Sequence, residues 1–188
     1  MIQLKNDSLL LPGDIFICKG NGVVAKIIST VTAKQKITGK TVFSHTAQMC
    51  GTVKNKLMID EQKKGIIPMT YDNWREKYNY KYDIFRPIYS EFDVDEWNKK
   101  CLDKSGVTPY EFKALFKYLW YMKTGIWIGR DNENDDRMYC SDFTGYLLDY
   151  KDHWQLSPQQ IFELLFKDLR YLNITKELDL HKNAYTLM

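Results

Sequence analysis

Late in the chain a polar run, Arg130 to Asp136, leads into a cysteine that opens an amphipathic segment, Tyr139-Cys140-Ser141-Asp142-Phe143. Phe143, Tyr146, Leu147 and Tyr150 fall at i, i+3, i+4 and i+7, the one-face pattern of a helix. Cys140 is therefore expected at or near a helix N-terminus. There, unpaired backbone N–H groups and the positive end of the macrodipole favour thiolate over thiol. A cysteine so placed is either a nucleophile or a small packing residue. Which of the two depends on whether a histidine from elsewhere in the chain reaches it.

At 188 residues the chain is read as one domain, 1–188, long enough to bury a proper core. A hydrophobic share of 44% and a charged share of 27% belong to a globular protein. A net charge of +3 is too small to argue for nucleic acid or an anionic membrane as partner. Cys18, Cys50, Cys101 and Cys140 are widely spaced, with no CxxC pair or Cys/His cluster, so neither zinc nor any other metal is expected. Cys18, Cys50 and Cys101 read as small packing residues. Met1 to Leu11 lacks the charged start and apolar stretch of a signal peptide, and no run approaches a membrane span. A cytoplasmic location is the resulting default.

The order of elements predicts an α+β fold. A turn at Leu10-Leu11-Pro12-Gly13-Asp14 precedes a strand at Ile15–Cys18, and Gly20 and Gly22 separate it from a helix through Val31. Phe43–Cys50 and Lys56–Glu61 read as a hairpin. Ile66–Pro68 reads as a further strand, and Thr70 can cap a short helix through Tyr78. Tyr82–Pro87 reads as a strand ended by its proline. Helices follow at Asp93–Leu102, from Thr108-Pro109-Tyr110-Glu111 to Gly125, and from Ser157-Pro158-Gln159-Gln160 onward. The stretch 91–125 stands out as a helical elaboration, and the tail from Asn173 is polar and weakly patterned.

A thiol nucleophile needs a base and a group that orients the base. Of three histidines, His153 lies in a polar loop, His181 lies in the tail, and His45 lies at the start of an expected core strand. Strand alternation then separates two carboxylates, because Asp60 and Glu61 point to opposite faces. Glu61 shares a face with Leu57 and Ile59, whereas Asp60 shares one with Met58. If the face with two branched aliphatics is the inward one, Glu61 is the partner of His45; one β-bulge would favour Asp60 instead.

Four short motifs occur in order: Leu11-Pro12-Gly13-Asp14-Ile15-Phe16, Phe43-Ser44-His45-Thr46-Ala47, Ile59-Asp60-Glu61 with Gly65, and Tyr139-Cys140-Ser141-Asp142-Phe143. This order resembles the circularly permuted NlpC/P60 group of papain-like amidases, in particular its YiiX/YaeF-like branch. Leu156-Ser157-Pro158-Gln159-Gln160-Ile161 is similar to the helix start that follows the nucleophile helix in that family. Three positions depart from the pattern: Asp142 where glutamate is frequent, Thr46 where an aliphatic residue is usual, and Gln62 where alanine is common.

The resemblance implies a permuted papain-like fold, a small antiparallel sheet packed against the nucleophile helix with additional helices. It implies Cys140 as nucleophile, His45 as general base and Glu61 as the orienting carboxylate, with Tyr139 and Ser44 beside the substrate. The activity implied is hydrolysis of an amide in a peptide, a peptidoglycan fragment or a lipid amide, through a thioester and with no cofactor. Two other readings share this order. One is an LRAT-like lipid acyltransferase or phospholipase, although those relatives typically carry a second histidine where Glu61 stands. The other is a non-catalytic binding or structural module.

Overall fold

The computed structural model describes residues 9–37, 41–62, 64–78, 81–109, 112–126, 128 and 138–176. The polar run Arg130–Asp136, Glu111 of the expected capping box and His181 lie outside them. The fold starts at a tight corner. Gly13 has φ +95°, and a Cβ there would lie 2.5 Å from the Phe92 ring, so only glycine fits the approach. Asp14 closes the corner by accepting the Leu11 N–H at 2.8 Å. The chain then enters β1, Ile15–Lys19, whose first four residues are buried.

Five more strands join β1: β2 at His45–Gly51, β3 at Lys56–Gln62, β4 at Gly65–Met69, β5 at Lys81–Pro87 and β6 at Tyr171–Asn173. They form one antiparallel sheet in the order β4-β3-β2-β1-β5-β6, with β1 and β2 at its centre. The β2–β3 hairpin pairs Ala47 with Asp60 and Gln48 with Ile59. β6 was not expected; three residues running into the polar tail are too few for alternation to betray a strand, and they add to the edge by pairing with β5.

Both faces of the sheet are covered. On one face Ile15, Ile17, Cys50, Ile59, Ile66 and Phe85 pack against helices α3 (Val94–Lys104), α5 (Cys140–Leu147) and α6 (Pro158–Lys167). On the other, Phe16, Cys18, Ala47, Met49, Met58 and Ile84 pack against Tyr71 and Trp74 of α2 (Tyr71–Tyr78). Among the described residues the remaining α-helices are α1, Val23–Thr32, and α4, Phe112–Thr124, which pack on each other. α3 and α4 occupy the helical stretch expected between 91 and 125. The structure is thus a mixed α+β fold built on a six-stranded antiparallel sheet.

Helix ends follow their sequence signals. Asp93 caps α3 by accepting the N–H groups of Asp95 and Glu96 at 2.8 and 3.0 Å. Ser157 and Gln160 form a complete capping box at the start of α6, with Pro158 in the first turn.

A fully buried Asp14 needs a counter-charge, because a carboxylate removed from water without one is costly. Arg86 on β5 supplies it bidentately: its Nε donates to Oδ1 at 2.8 Å and its Nη2 to Oδ2 at 2.7 Å. The Arg86→Ala variant leaves that carboxylate buried and unpaired. The expected cost is about 3–5 kcal/mol by chemical denaturation, and a loss under about 1 kcal/mol would show that Arg86 is not what satisfies Asp14.

Candidate active site

The site is built from the first turn of α5. Tyr139 holds extended backbone at φ −116°, ψ 166° as N-cap and gives no side-chain cap. The first turn carries one acidic residue, Asp142, at the third helical position, where a negative charge complements the opening N–H groups. Cys140 is then the first helical residue, where the opening N–H groups of a helix have no intrahelical acceptor.

Polar side chains dock this turn onto the sheet. Gln48 on β2 donates to the Thr144 hydroxyl, which lies 2.6 Å from Thr46 Oγ1 and 3.0 Å from the Cys140 carbonyl. Ser141 donates to the Leu156 carbonyl at 2.6 Å, and the Tyr139 hydroxyl donates to the Trp154 carbonyl. These two bonds tie α5 to the 3-10 turn at His153–Gln155 and the residue that follows it. Gly145 permits that approach, because a Cβ there would lie 2.7 Å from the His153 Cβ.

His45 is the first residue of β2, and its Nε2 lies 2.6 Å from Asp60 Oδ1. The Cys140 thiol lies close enough to the same imidazole to act on its charge, so thiol, ring and carboxylate are neighbours. Burial disfavours the charged ring, but Asp60 and Cys140 outweigh it and hold the imidazole well above the ordinary histidine range. The His45 side chain keeps 15% exposure, while Asp60 has none. Gln62 secures the other carboxylate oxygen, donating to Asp60 Oδ2 at 3.1 Å.

The expected pairing of His45 with Glu61 is therefore corrected: the carboxylate that touches the ring is Asp60. The face argument assumed one inward face, yet Met58, Ile59, Asp60 and Glu61 are all buried. With both faces covered, the aliphatic residues of β3 cannot say where His45 points. Register decides. Ala47 pairs with Asp60, and His45, two residues before Ala47, shares that face and sits diagonally to Asp60.

Glu61 faces the other way, beneath α5, with Ile59 and Leu57. It is 4% exposed, and neither carboxyl oxygen has a hydrogen-bond partner among the described residues. Burial, followed by the negative charges of Cys140 and Asp142, lifts its carboxyl well above the ordinary range; His45 pulls the other way and Asp60 adds to the rise.

Ser44 and Tyr139 were expected beside the substrate, and both are buried and engaged within the protein. The Ser44 hydroxyl accepts the Gly20 N–H at 3.0 Å, and Tyr139 is 3% exposed. Cys18, Cys50 and Cys101 are free, fully buried thiols in the two cores. The residue that sequence reasoning passed over is His153, whose Nδ1 lies 2.5 Å from Asp142 Oδ1. An acidic residue at the third position of the expected helix was the available signal for half of that pair.

No protein-family model matches the chain, and no curated protein matches it. Among solved structures, the metalloprotein yiiX of Escherichia coli O157:H7 superposes with a TM-score of 0.51, at 14% identity. The superposition covers 88% of this chain and 96% of that one. At this identity the likeness shows a shared, YiiX-like fold. Among the described residues no group of three or more His, Cys, Asp or Glu side chains is arranged to hold a metal ion, so the donors here do not fit one. No helix among them is long and apolar enough to cross a membrane.

The orphaned carboxyl has a consequence for stability. The folded protein retains the Glu61 proton at a pH where the unfolded chain has released it. Stability therefore falls as pH rises from the unfolded carboxyl range toward the folded value, by at most about 1.4 kcal/mol per pH unit. A Glu61→Gln variant has no such proton. Its melting temperature relative to wild type is expected to rise between pH 5 and pH 8, and a constant difference across that range would contradict the assignment.

Proposed function

We propose that this chain is a thiol-dependent amidase on a circularly permuted papain-like fold, with Cys140 as nucleophile, His45 as general base and Asp60 as the carboxylate that orients the base. The observation that carries the reading is the 2.6 Å contact between His45 Nε2 and Asp60, on a ring that also meets the Cys140 thiol. With Nε2–H donated to Asp60, Nδ1 is the nitrogen left to take the thiol proton. The acidic partner then stabilises the imidazolium and holds its orientation, as an orienting carboxylate does in acyl-transfer triads generally. Base, carboxylate and nucleophile run His45, Asp60, Cys140 along the chain, so the nucleophile comes last, as permutation of a papain-like order requires. The YiiX-like fold is consistent with this.

Chemically, the Cys140 thiolate attacks an amide carbonyl and the imidazolium of His45 gives its proton to the leaving amine. A water, deprotonated by His45, then hydrolyses the thioester. A peptide, a peptidoglycan fragment or a lipid amide is the substrate class, and Tyr139 and Ser44 act as supports of the site.

The test is selective alkylation. At pH 6 an ordinary cysteine is under about 1% thiolate, so iodoacetamide should label Cys140 far faster than Cys18, Cys50 or Cys101. His45→Ala should slow that labelling at least about tenfold, and Asp60→Asn should slow it in the same direction. An unchanged Cys140 rate in His45→Ala would sink the reading. Mass spectrometry of Cys140 after exposure to acyl amides and to phosphatidylcholine vesicles separates the substrate classes. A fatty acyl adduct from vesicles alone would move the assignment to an LRAT-like acyltransferase.

A further inference from the structure

Acyl transfer through a tetrahedral intermediate needs hydrogen-bond donors aimed at the developing oxyanion, and two are the usual number. One follows from the fold, since Cys140 is the first residue of α5 and its own N–H lies among the unpaired groups of that turn. The second is not obvious. The polar side chains around Cys140 are largely committed: Gln48 donates to Thr144, Gln62 to Asp60, Ser141 to the Leu156 carbonyl and Tyr139 to the Trp154 carbonyl.

Glu61 is the exception. It projects from β3 on the face that α5 covers, it is 4% exposed, and both of its oxygens lack a partner among the described residues. The ionisable groups that act on it most strongly are Cys140 and Asp142 from α5, His45 from β2 and Asp60 from its own strand, and three of these four are acids. A buried carboxyl in such company keeps its proton, and a carboxylic acid carries one O–H donor. A donor left without an acceptor costs stability, and such groups persist where something arrives to satisfy them.

We propose that Glu61, as a carboxylic acid, is the second donor to the oxyanion formed at Cys140, with the Cys140 backbone N–H as the first. The proposal rests on the thiol acyl-transfer reading above. As the Cys140 Sγ–C bond forms, the carbonyl π pair moves onto oxygen, and the Glu61 O–H and Cys140 N–H donate to it. When the intermediate collapses, C=O re-forms, the C–N bond breaks and the amine leaves with the proton carried by His45. Glu61 keeps its proton throughout, so it stabilises charge without entering the proton inventory.

Two probes of the same thiol test this. Acylation by p-nitrophenyl acetate passes through an oxyanion and expels nitrophenolate, whereas alkylation by iodoacetamide is a displacement at a saturated carbon and forms none. In Glu61→Met, acetylation of Cys140 is expected to fall about 100-fold or more, with alkylation within about threefold of wild type. Glu61→Gln, whose amide can still donate, is expected to recover at least about tenfold over Glu61→Met. Glu61→Ala repeats the comparison with a smaller side chain in case methionine disturbs packing. The proposal is overturned if acetylation in Glu61→Met and Glu61→Ala matches wild type, if acetylation and alkylation fall together, or if Glu61→Gln is as slow as Glu61→Met. A wild-type Cys140 that is neither rapidly alkylated nor acetylated marks failure of the underlying reading instead.

Discussion

Covering both faces of one antiparallel sheet is the constraint from which the rest follows. An antiparallel sheet with a wet face offers its charged residues somewhere to go; this one does not. Every acidic side chain inside must find a cation, find donors or take a proton. Asp14 finds Arg86 and Asp142 finds His153. Asp60 finds His45, and that solution is the one on which the proposed chemistry rests, because the same ring also reaches a thiol. Glu61 finds no partner among the described residues.

The thiol is where it is because of tertiary bonds. α5 has eight residues, too few to be stable alone in water. Thr144 is its anchor, held by Gln48 and beside Thr46 on the central strand β2, and one turn earlier on the same helix is Cys140. Ser141 and Tyr139 pin the opposite side to Leu156 and Trp154. Cys140 and His45 thus ride on one strand–helix seam, with β2 carrying His45 and also the two side chains that seat α5. The hairpin register of β2 with β3 then adds the carboxylate without further parts.

His45 and Cys140 were legible as candidates because their evidence is local. A histidine at the start of a core strand and a cysteine at the start of an amphipathic helix are patterns of period 2 and 3.6. The choice of carboxylate was not local. It turned on which face of β3 meets His45, and inward-facing aliphatics identify a face only when the other is wet. The His153–Asp142 contact needed Gly145 to bring a turn against the helix, and β6 needed the edge of β5 to pair with; neither leaves a periodic trace in the residues themselves.

By itself, the sequence determined the α+β class, most of the strands and helices, the α6 capping box and the thiol at a helix start. Each of these is written in side-chain periodicity or in the chemistry of a few neighbouring residues. The tertiary structure alone decided that Asp60 and not Glu61 meets the ring, that Tyr139 and Ser44 are turned to structural bonds, and that one carboxyl is left unpartnered beside the thiol. Those outcomes depend on register and on which helix lies over which face, and burial on both sides erases the hydrophobic contrast from which a sequence would otherwise reveal them.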